Sequence, residues 1–380
     1  MGKSIDLAFI TNTRGTPSDK QVVYGSFPGW ELPRFNPPDI FDWKQVDVGI
    51  NGTTISSMMI VIGSDTHDLY AGLAVQHRGN HDALKNAMRK LRHGRKQVAL
   101  AIEHAINDLG VKVVAFGAST KNLLKVDAIR KIPGYDQALY ANGDNYTVAV
   151  CIEQLKQAAQ RAEIDLFDPR TNMVIVGAYG LIGRLLARHF STYSCNLLLV
   201  GRDLSRLRDL TSLLDRECNY EVFTDCRDIG QSVNVLVTAT NSPESIITPD
   251  LLRRWGSHMI ALDVAEPPNI KVDVSTAMGG EFLRIDGGIV CNQGLHFANG
   301  NQMGLRHKTI FACYGEGFAT TLRALHGMNG YGTFDLMSVD ARRFDDLVQA
   351  AENCGFYVDD FQNYATPISD KEWELFRSCN

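Results

Sequence analysis

Between Met173 and Cys291 the apolar residues arrive in short, almost unbroken runs: "MVIVGA", "NLLLVGR", "VNVLVTATN", "HMIALDVA" and "LRIDGGIVC". Runs of this length with little polar alternation predict strands buried on both faces of a parallel sheet. The first part of the chain reads differently. Residues 5–12 (IDLAFITN) predict one strand, and residues 13–45, rich in Gly, Pro and aromatics, predict a long irregular connection. "QVDVGIN" and "ISSMMIVIG" predict two strands joined by a turn at Asn51-Gly52. Helical periodicity over residues 82–109 ends at Gly110, a C-cap, and "VKVVAFGAS" predicts a strand after it. A second long helix is predicted from Asp144 or Asn145, either of which can cap it, to about Ile164. Beyond residue 300 the pattern turns helical again, with a helix start near Lys308–Thr309.

This alternation of helices and strands is α/β grammar. It predicts an N-terminal α/β domain with a long connecting helix over residues 1–167. A domain built on the buried parallel sheet follows over 168–296, and a helical C-terminal part over 297–380. The active site is expected in the cleft between domains.

The clearest chemical signal is "MVIVGAYGLIGRLLARHF". A strand runs into Gly177, Tyr179, Gly180, Leu181, Ile182 and Gly183, and then into a helix. Glycines at such a turn let backbone approach a pyrophosphate, and the helix N-terminus offers free N–H groups and a favourable dipole. The order strand, glycines, helix, strand is what a dinucleotide site requires. An NAD site places a carboxylate at the end of the second strand. Here that strand ends in Gly201 and Arg202, with Arg206 one turn on. Guanidinium groups suit a 2′-phosphate, so NADPH is the expected cofactor, although Asp203 could instead hold the ribose. Residues 168–296 are therefore expected to form a Rossmann-like NADP-binding domain, with residues 1–167 as the N-terminal α/β substrate domain. Thr240 and Asn241, after the strand "VNVLVTATN", are expected near the nicotinamide.

Charge and cysteine usage narrow the partners. The formal net charge is −5, which gives no global signal for nucleic acid. The one local basic cluster, "KNAMRKLRHGRK" at residues 85–96, reads either as a docking surface for an acidic carrier protein or as a solvated helix face. Eight cysteines show no CxxC pair and no zinc spacing, so a disulfide framework or structural metal is not expected. No apolar run approaches a membrane span and no leader pattern opens the chain, so a cytoplasmic protein is expected.

"IFACYGEG", residues 310–317, places Cys313 in or near the first turn of a predicted helix, where a thiol pKa is depressed. Ala312, Gly315 and Gly317 would leave room beside it for an acyl chain and a cofactor. Buried filler is the alternative for a lone cysteine. His296 and His307 precede it and are the candidate acid/base partners. Glu316, one turn on, is read as a structural partner. Tyr146 and Thr147 sit where a helix dipole could hold a carbonyl oxygen.

Read in order, "GDNYTVAVCIEQLKQAA", "VIVGAYGLIG", "RIDGGIV" and "IFACYGEGFATTLRAL" resemble the cyanobacterial-type long-chain acyl-[acyl-carrier-protein] reductases. The resemblance implies NADPH-dependent reduction of an acyl thioester, carried on acyl carrier protein or CoA, to an aldehyde. It implies that Cys313 accepts the acyl group, and it makes an aldehyde-consuming enzyme a candidate partner. Two further readings stay open from the residues. One is a two-domain NADP dehydrogenase reducing a small ketone or imine without covalent catalysis. The other is a non-catalytic NADP-binding regulatory protein.

Overall fold

The computed structural model describes residues 4–27, 30, 36–50, 52–76, 81–121, 123–242, 245–265, 267–298, 304–327, 331–340 and 343–379. In chain order the elements begin with β1 (Leu7–Asn12), α1 (Pro17–Tyr24), β2 (Ile40–Ile50), β3 (Thr53–Ile62), α2 (Thr66–Gln76) and α3 (His81–Asn107). Next come β4 (Val113–Phe116), α4 (Val126–Ile129), β5 (Leu139–Ala141) and α5 (Asp144–Arg161). The central run is β6 (Asn172–Val176), α6 (Leu181–Phe190), β7 (Asn196–Val200), α7 (Leu204–Thr211), β8 (Tyr220–Phe223), β9 (Val235–Thr238), α8 (Pro249–Trp255), β10 (Met259–Asp263), α9 (Val272–Met278) and β11 (Phe282–Asp286). The last part holds β12 (Ile289–Cys291), β13 (Leu295–Phe297), β14 (Thr309–Phe311), α10 (Ala312–Leu325), α11 (Phe344–Asn353) and α12 (Asp370–Ser378).

These elements form two units, each made of two stretches of chain. One holds the residues up to Thr147 with Ile289–Tyr357, and the other holds Val148–Gly288 with the residues from Val358 on. The C-terminal part is therefore helical, as the sequence predicts, but it does not stand alone. Its helices α10 and α11 belong to the first unit and α12 to the second.

In the first unit the sheet order is β13-β2-β3-β1-β4-β5, with β3, β1, β4 and β5 parallel. All six residues of β1 are buried, because the strand is covered on both faces. Ala8 and Ile10 pack with Val98, Ala101 and Ile102 of α3. On the other face Phe9 stacks on Tyr314 of α10 at 4.0 Å. Helix α10 is buried from Ala312 to Leu322, so it serves as a core element. Its glycines explain how close it lies: a Cβ on Gly317 would meet Leu7 and Ala115 side chains at 3.0–3.1 Å, and one on Gly315 would meet the Tyr146 ring at 3.1 Å. The small residues around Cys313 thus admit neighbouring core side chains, where the sequence suggested room for an acyl chain.

The second unit has a fully parallel sheet in the order β11-β10-β9-β6-β7-β8. The chain starts at β6, works outward to β8, then crosses to β9 and works outward the other way. This is the doubly wound arrangement, with its switch point between β6 and β9.

Three local readings of the sequence change. The stretch read as irregular contains α1, begun by Thr16, whose hydroxyl accepts from Asp19 N–H. Strand β8 escaped notice because it is an edge strand, partly exposed along its length. Residues 309–311 pair with β12 as β14, so the helix carrying Cys313 starts at Ala312 and not at Lys308–Thr309. Among the described residues no helix is long and apolar enough to cross a membrane.

One buried ion cluster fastens the second unit. Arg284 of β11, with 2% of its side chain exposed, contacts Asp263 at 3.0 Å and Asp286 at 2.5 Å. Asp263 also accepts from Thr238 and from the amides of Asn269 and Ile270, tying the end of β9 to the loop after β10. Arg284→Ala should lower unfolding free energy by about 3–5 kcal/mol, since it strands two carboxylates without their cation. Urea denaturation followed by circular dichroism checks this.

Candidate functional site

The dinucleotide loop lies at the switch point. Gly177 follows β6 with φ +83°, and a Cβ there would stand 2.6 Å from the Ala239 carbonyl oxygen. A Cβ on Gly183 would meet the Gly177 carbonyl oxygen at 2.4 Å, so α6 can start this close to β6 only with glycine there. Gly180 is the N-cap of α6 and provides no side-chain cap. The first amides of the helix, at Leu181, Ile182 and Gly183, have no intrahelical acceptor by helix geometry. Uncapped amides over a backbone cradle that a Cβ would fill fit a pyrophosphate.

At the end of β7 the Tyr179 ring lies over Gly201, where a Cβ would stand 2.4 Å from it. Arg206 stacks on the same ring at 4.2 Å, and both Arg202 and Arg206 are exposed. Asp203 has another role: its carboxylate accepts from the amides of Ser205 and Arg206 and caps α7. The cations at this strand end are therefore presented to solvent while the carboxylate is engaged, which suits a 2′-phosphate. Thr240 and Asn241 follow β9, beside Gly177, and Thr240 Oγ1 accepts from Ser242 N–H.

The first unit holds a second constellation, at the carboxyl ends of its parallel strands. Cys313 is the second residue of α10 and is 8% exposed. Gly143, after β5, has φ +80°, and a Cβ on it would meet the Cys313 Cβ at 2.6 Å and the Phe116 carbonyl oxygen at 2.7 Å. Only glycine allows that approach. Lys121, in the loop after β4, pairs with Asp144 at 2.7 Å; their side chains are 14% and 5% exposed. Burial alone would depress the Lys121 ammonium, but the charges of Asp144, Cys313 and Glu316 outweigh it and raise its pKa.

Glu316 is fully buried and accepts from Tyr146 N–H at 2.9 Å, Gly143 N–H at 3.2 Å and Asn145 Nδ2 at 3.4 Å. A carboxylate of α10 thus caps the N-terminus of α5. Burial pushes its pKa up to about 7, against those hydrogen bonds and with the help of Asp144. For Cys313 burial pushes the thiol pKa up. Lys121 and the Tyr314 amide pull it down, while Asp144 and Glu316 push it up, and the net direction is upward. The depressed thiol expected from the helix start alone does not result.

Other sequence readings fall elsewhere. His296 is exposed on β13, across from Asp47 of β2, and His307 is exposed in the turn before β14. The charged groups acting most on Cys313 are Lys121, Asp144 and Glu316, and neither histidine is among them. The Tyr146 amide is taken by Glu316, and Thr147 Oγ1 donates to the Gly143 carbonyl, so neither is offered to a substrate oxygen. Sequence reading missed Lys121 and Asp144 as a pair because they lie 23 positions apart, one in the loop after β4 and the other at the start of α5. The only signal in the sequence was a lysine just past a predicted strand.

Comparisons with known proteins bear on this arrangement. The Shikimate / quinate 5-dehydrogenase family matches residues 157–287. A glutamyl-tRNA reductase from a Nitratiruptor species is 32% identical over 98 residues, covering 26% of this chain and 22% of that protein. One from a Sulfurovum species is 27% identical over 158 residues, covering 40% and 34%. The chain thus spans about a third or less of the length of these curated relatives. Among solved structures, L-tryptophan dehydrogenase from Nostoc punctiforme aligns over 92% of this chain and 80% of that one, with 10% identity and a TM-score of 0.42. These matches overturn the resemblance to acyl-[acyl-carrier-protein] reductases, since the relatives are named glutamyl-tRNA reductases and the matching family is a dehydrogenase family. Reduction of thioesters carried on acyl carrier protein or CoA falls with it. What stands is an α/β domain of Rossmann type with NADPH as its cofactor.

Gly183→Val should abolish NADPH binding in a chain that still folds, because the new side chain would collide with the Gly177 carbonyl; fluorescence titration with NADPH checks this. The folded-state pKa of Glu316, about 7, lies above its ordinary 4.5. Between those values the folded chain keeps a proton that the unfolded chain releases, so stability falls as pH rises from 4.5 to about 7. Glu316→Gln should flatten that decline, by about 3 kcal/mol across the window, as measured by urea denaturation at a series of pH values.

Proposed function

We propose that the chain is an NADPH-dependent reductase of a small carbonyl or imine substrate, with Lys121 as the electrophilic group. The observation that carries this reading is the part-buried Lys121–Asp144 pair at 2.7 Å, at the carboxyl edge of a parallel sheet. That edge is where open α/β sheets bind ligands. A fixed ammonium in a low-dielectric site polarises a carbonyl oxygen and stabilises the alkoxide charge that grows on it. Lys121 then delivers a proton to that oxygen, and Asp144 keeps the amine in place throughout. The C=O bond thereby gains one proton from the protein and one hydride, giving an alcohol. When bound, NADPH supplies the hydride. Gly177, Gly180 and Gly183 with the amides of Leu181 and Ile182 would hold its pyrophosphate. Arg202 and Arg206, the latter braced on Tyr179, would hold the 2′-phosphate, and Thr240 and Asn241 would border the nicotinamide. Cys313 is a packing residue in this reading.

A second reading draws on the relatives named glutamyl-tRNA reductase and on the position of Cys313 in the first turn of α10. Here the substrate is an aminoacyl ester of RNA. The thiol sulfur bonds to the carbonyl carbon while the ester C–O bond breaks, and the alcohol leaves with the thiol proton. Hydride addition and loss of the C–S bond then give an aldehyde and return the thiolate, which takes up a proton. Lys121 supports this by favouring the thiolate, but burial opposes it, so the non-covalent reading ranks first.

NADPH oxidation with a panel of small ketones, 2-oxo acids and cyclic imines tests the first reading. Lys121→Met should lower kcat by about 10²–10³-fold, the usual cost of removing one oxyanion donor, while NADPH titration is unchanged. Lys121→Arg should retain more of the rate. Cys313→Ser should leave turnover within a few-fold of wild type. Complete loss in Cys313→Ser, together with an aminoacyl adduct on the wild-type thiol by intact mass, would instead establish the second reading.

A further inference from the structure

The N-terminal half of α3 carries a feature that the carbonyl chemistry does not use. Lys85, Arg89, Arg92 and Lys96 are spaced four, three and four residues apart and are all exposed. At 1.5 Å rise per residue they form a single stripe about 16 Å long on one helix face. Lys85, Asn86, Arg89, Arg92, His93 and Lys96 line a depression of about 670 Å³, with Asp82 at its end. Arg95 adds a fifth exposed cation beside it.

The ion pairs of this half-helix involve other residues: His81 meets Asp82, Lys90 meets Asp68, and His93 meets Asp39. Arg89 and Arg92 are steadied by neutral groups, the Asn86 side chain at 3.0 Å and the Met88 carbonyl at 3.2 Å. Among the described residues no carboxylate forms an ion pair with Lys85, Arg89, Arg92, Arg95 or Lys96. Like charges this close repel one another, so a run of five without counter-charges costs stability unless an anion shares it.

We propose that this stripe binds the phosphodiester backbone of RNA. The composition of the face separates that occupant from the others. Stable protein partners and membrane-surface helices are usually held by desolvated apolar or aromatic anchors as well as by charge. The only large apolar residues exposed on this helix are Met88, at 36%, and Leu100, at 43%, and no aromatic accompanies them. A phosphate backbone needs no such anchor, since cations alone carry non-specific binding. Half of the stripe is arginine, whose planar fork matches phosphate oxygens. The overall charge of −5 pointed away from nucleic acid, but a sum over 380 residues hides a local stripe. The inference does not depend on which carbonyl is reduced, and it would supply a hold on the carrier if the substrate is RNA-borne.

The test measures binding of a fluorescein-labelled RNA hairpin to the full chain by anisotropy across a salt series. Wild type should bind, with log affinity falling linearly against log salt. The variant Lys85→Gln/Arg89→Gln/Arg92→Gln/Lys96→Gln should bind at least tenfold more weakly. Its salt slope should be shallower by about 0.7–0.9 for each phosphate that is no longer neutralised. Lys85→Arg/Lys96→Arg should keep wild-type binding and slope. NADPH titration, which reads the other unit, should be the same for all variants, and an unchanged urea-unfolding curve followed by circular dichroism shows that the unit carrying α3 is folded. Should the quadruple variant fail to fold, the pairs Lys85→Gln/Arg89→Gln and Arg92→Gln/Lys96→Gln each report half of the slope change. An unchanged slope in the neutral variants overturns the proposal. So does tighter binding of poly-glutamate, or of phosphatidylserine vesicles, than of the hairpin at the same salt.

Discussion

The first unit depends on one buried carboxylate. Glu316 lies on a helix that crosses the sheet, yet the donors it accepts from are the leading amides of another helix, α5. Those amides would otherwise be orphan donors in the core, each costing about as much as a lost hydrogen bond. One side chain satisfies them and in doing so fixes two helix starts against each other. Everything near the thiol follows: Gly143 must be glycine, Cys313 must be small, and Asp144 is turned toward Lys121. The raised pKa of Glu316 is the counterpart of this arrangement, since a group useful as an acceptor in the core is costly to ionise there.

The second unit solves a similar problem with no side chain at all. At the β6–α6 turn no side chain caps the helix amides, and three glycines let the turn lie this close to the Gly177 and Ala239 carbonyls. The two helix starts, α5 and α6, therefore have opposite fates. One is closed by a carboxylate from within the fold, and the other is left for an anion from outside. This contrast distinguishes a structural helix terminus from a binding one more sharply than the glycine spacing itself.

How far the sequence was legible follows the range of the interactions. The doubly wound sheet and its glycine loop were readable because strand, turn and helix are local and adjacent. That Arg202 and Arg206 lie together at the end of β7 was readable for the same reason, being four residues apart in the chain. The Lys121–Asp144 pair was not, because the loop after β4 and the start of α5 meet only after β4 and β5 have paired. Cys313 was noticed but its electrostatics were misjudged: the helix-start argument lowers a thiol pKa, and burial with two nearby carboxylates outweighs it. Gly315 and Gly317 show the same limit, since small residues signal close approach without saying what approaches. The family resemblance misled for another reason. It rested on short strings, several of which reflect packing needs that unrelated chemistry can share.

The chain leaves the first unit at Thr147 and returns to it only at Ile289. On a ribosome this sets an order of events. When the first five strands have emerged, the face of β1 that bears Phe9 still lacks α10, and Gly143 still lacks the carboxylate 173 residues further on. The dinucleotide sheet, most of it a continuous stretch, can form in the interval as an independent folding unit. The N-terminal sheet must wait with an apolar face uncovered until the helix that completes it has been synthesised. Its loop-closure cost and its exposure to aggregation are correspondingly large. The segment that carries the thiol is thus also the one whose arrival ends the protein's most vulnerable period.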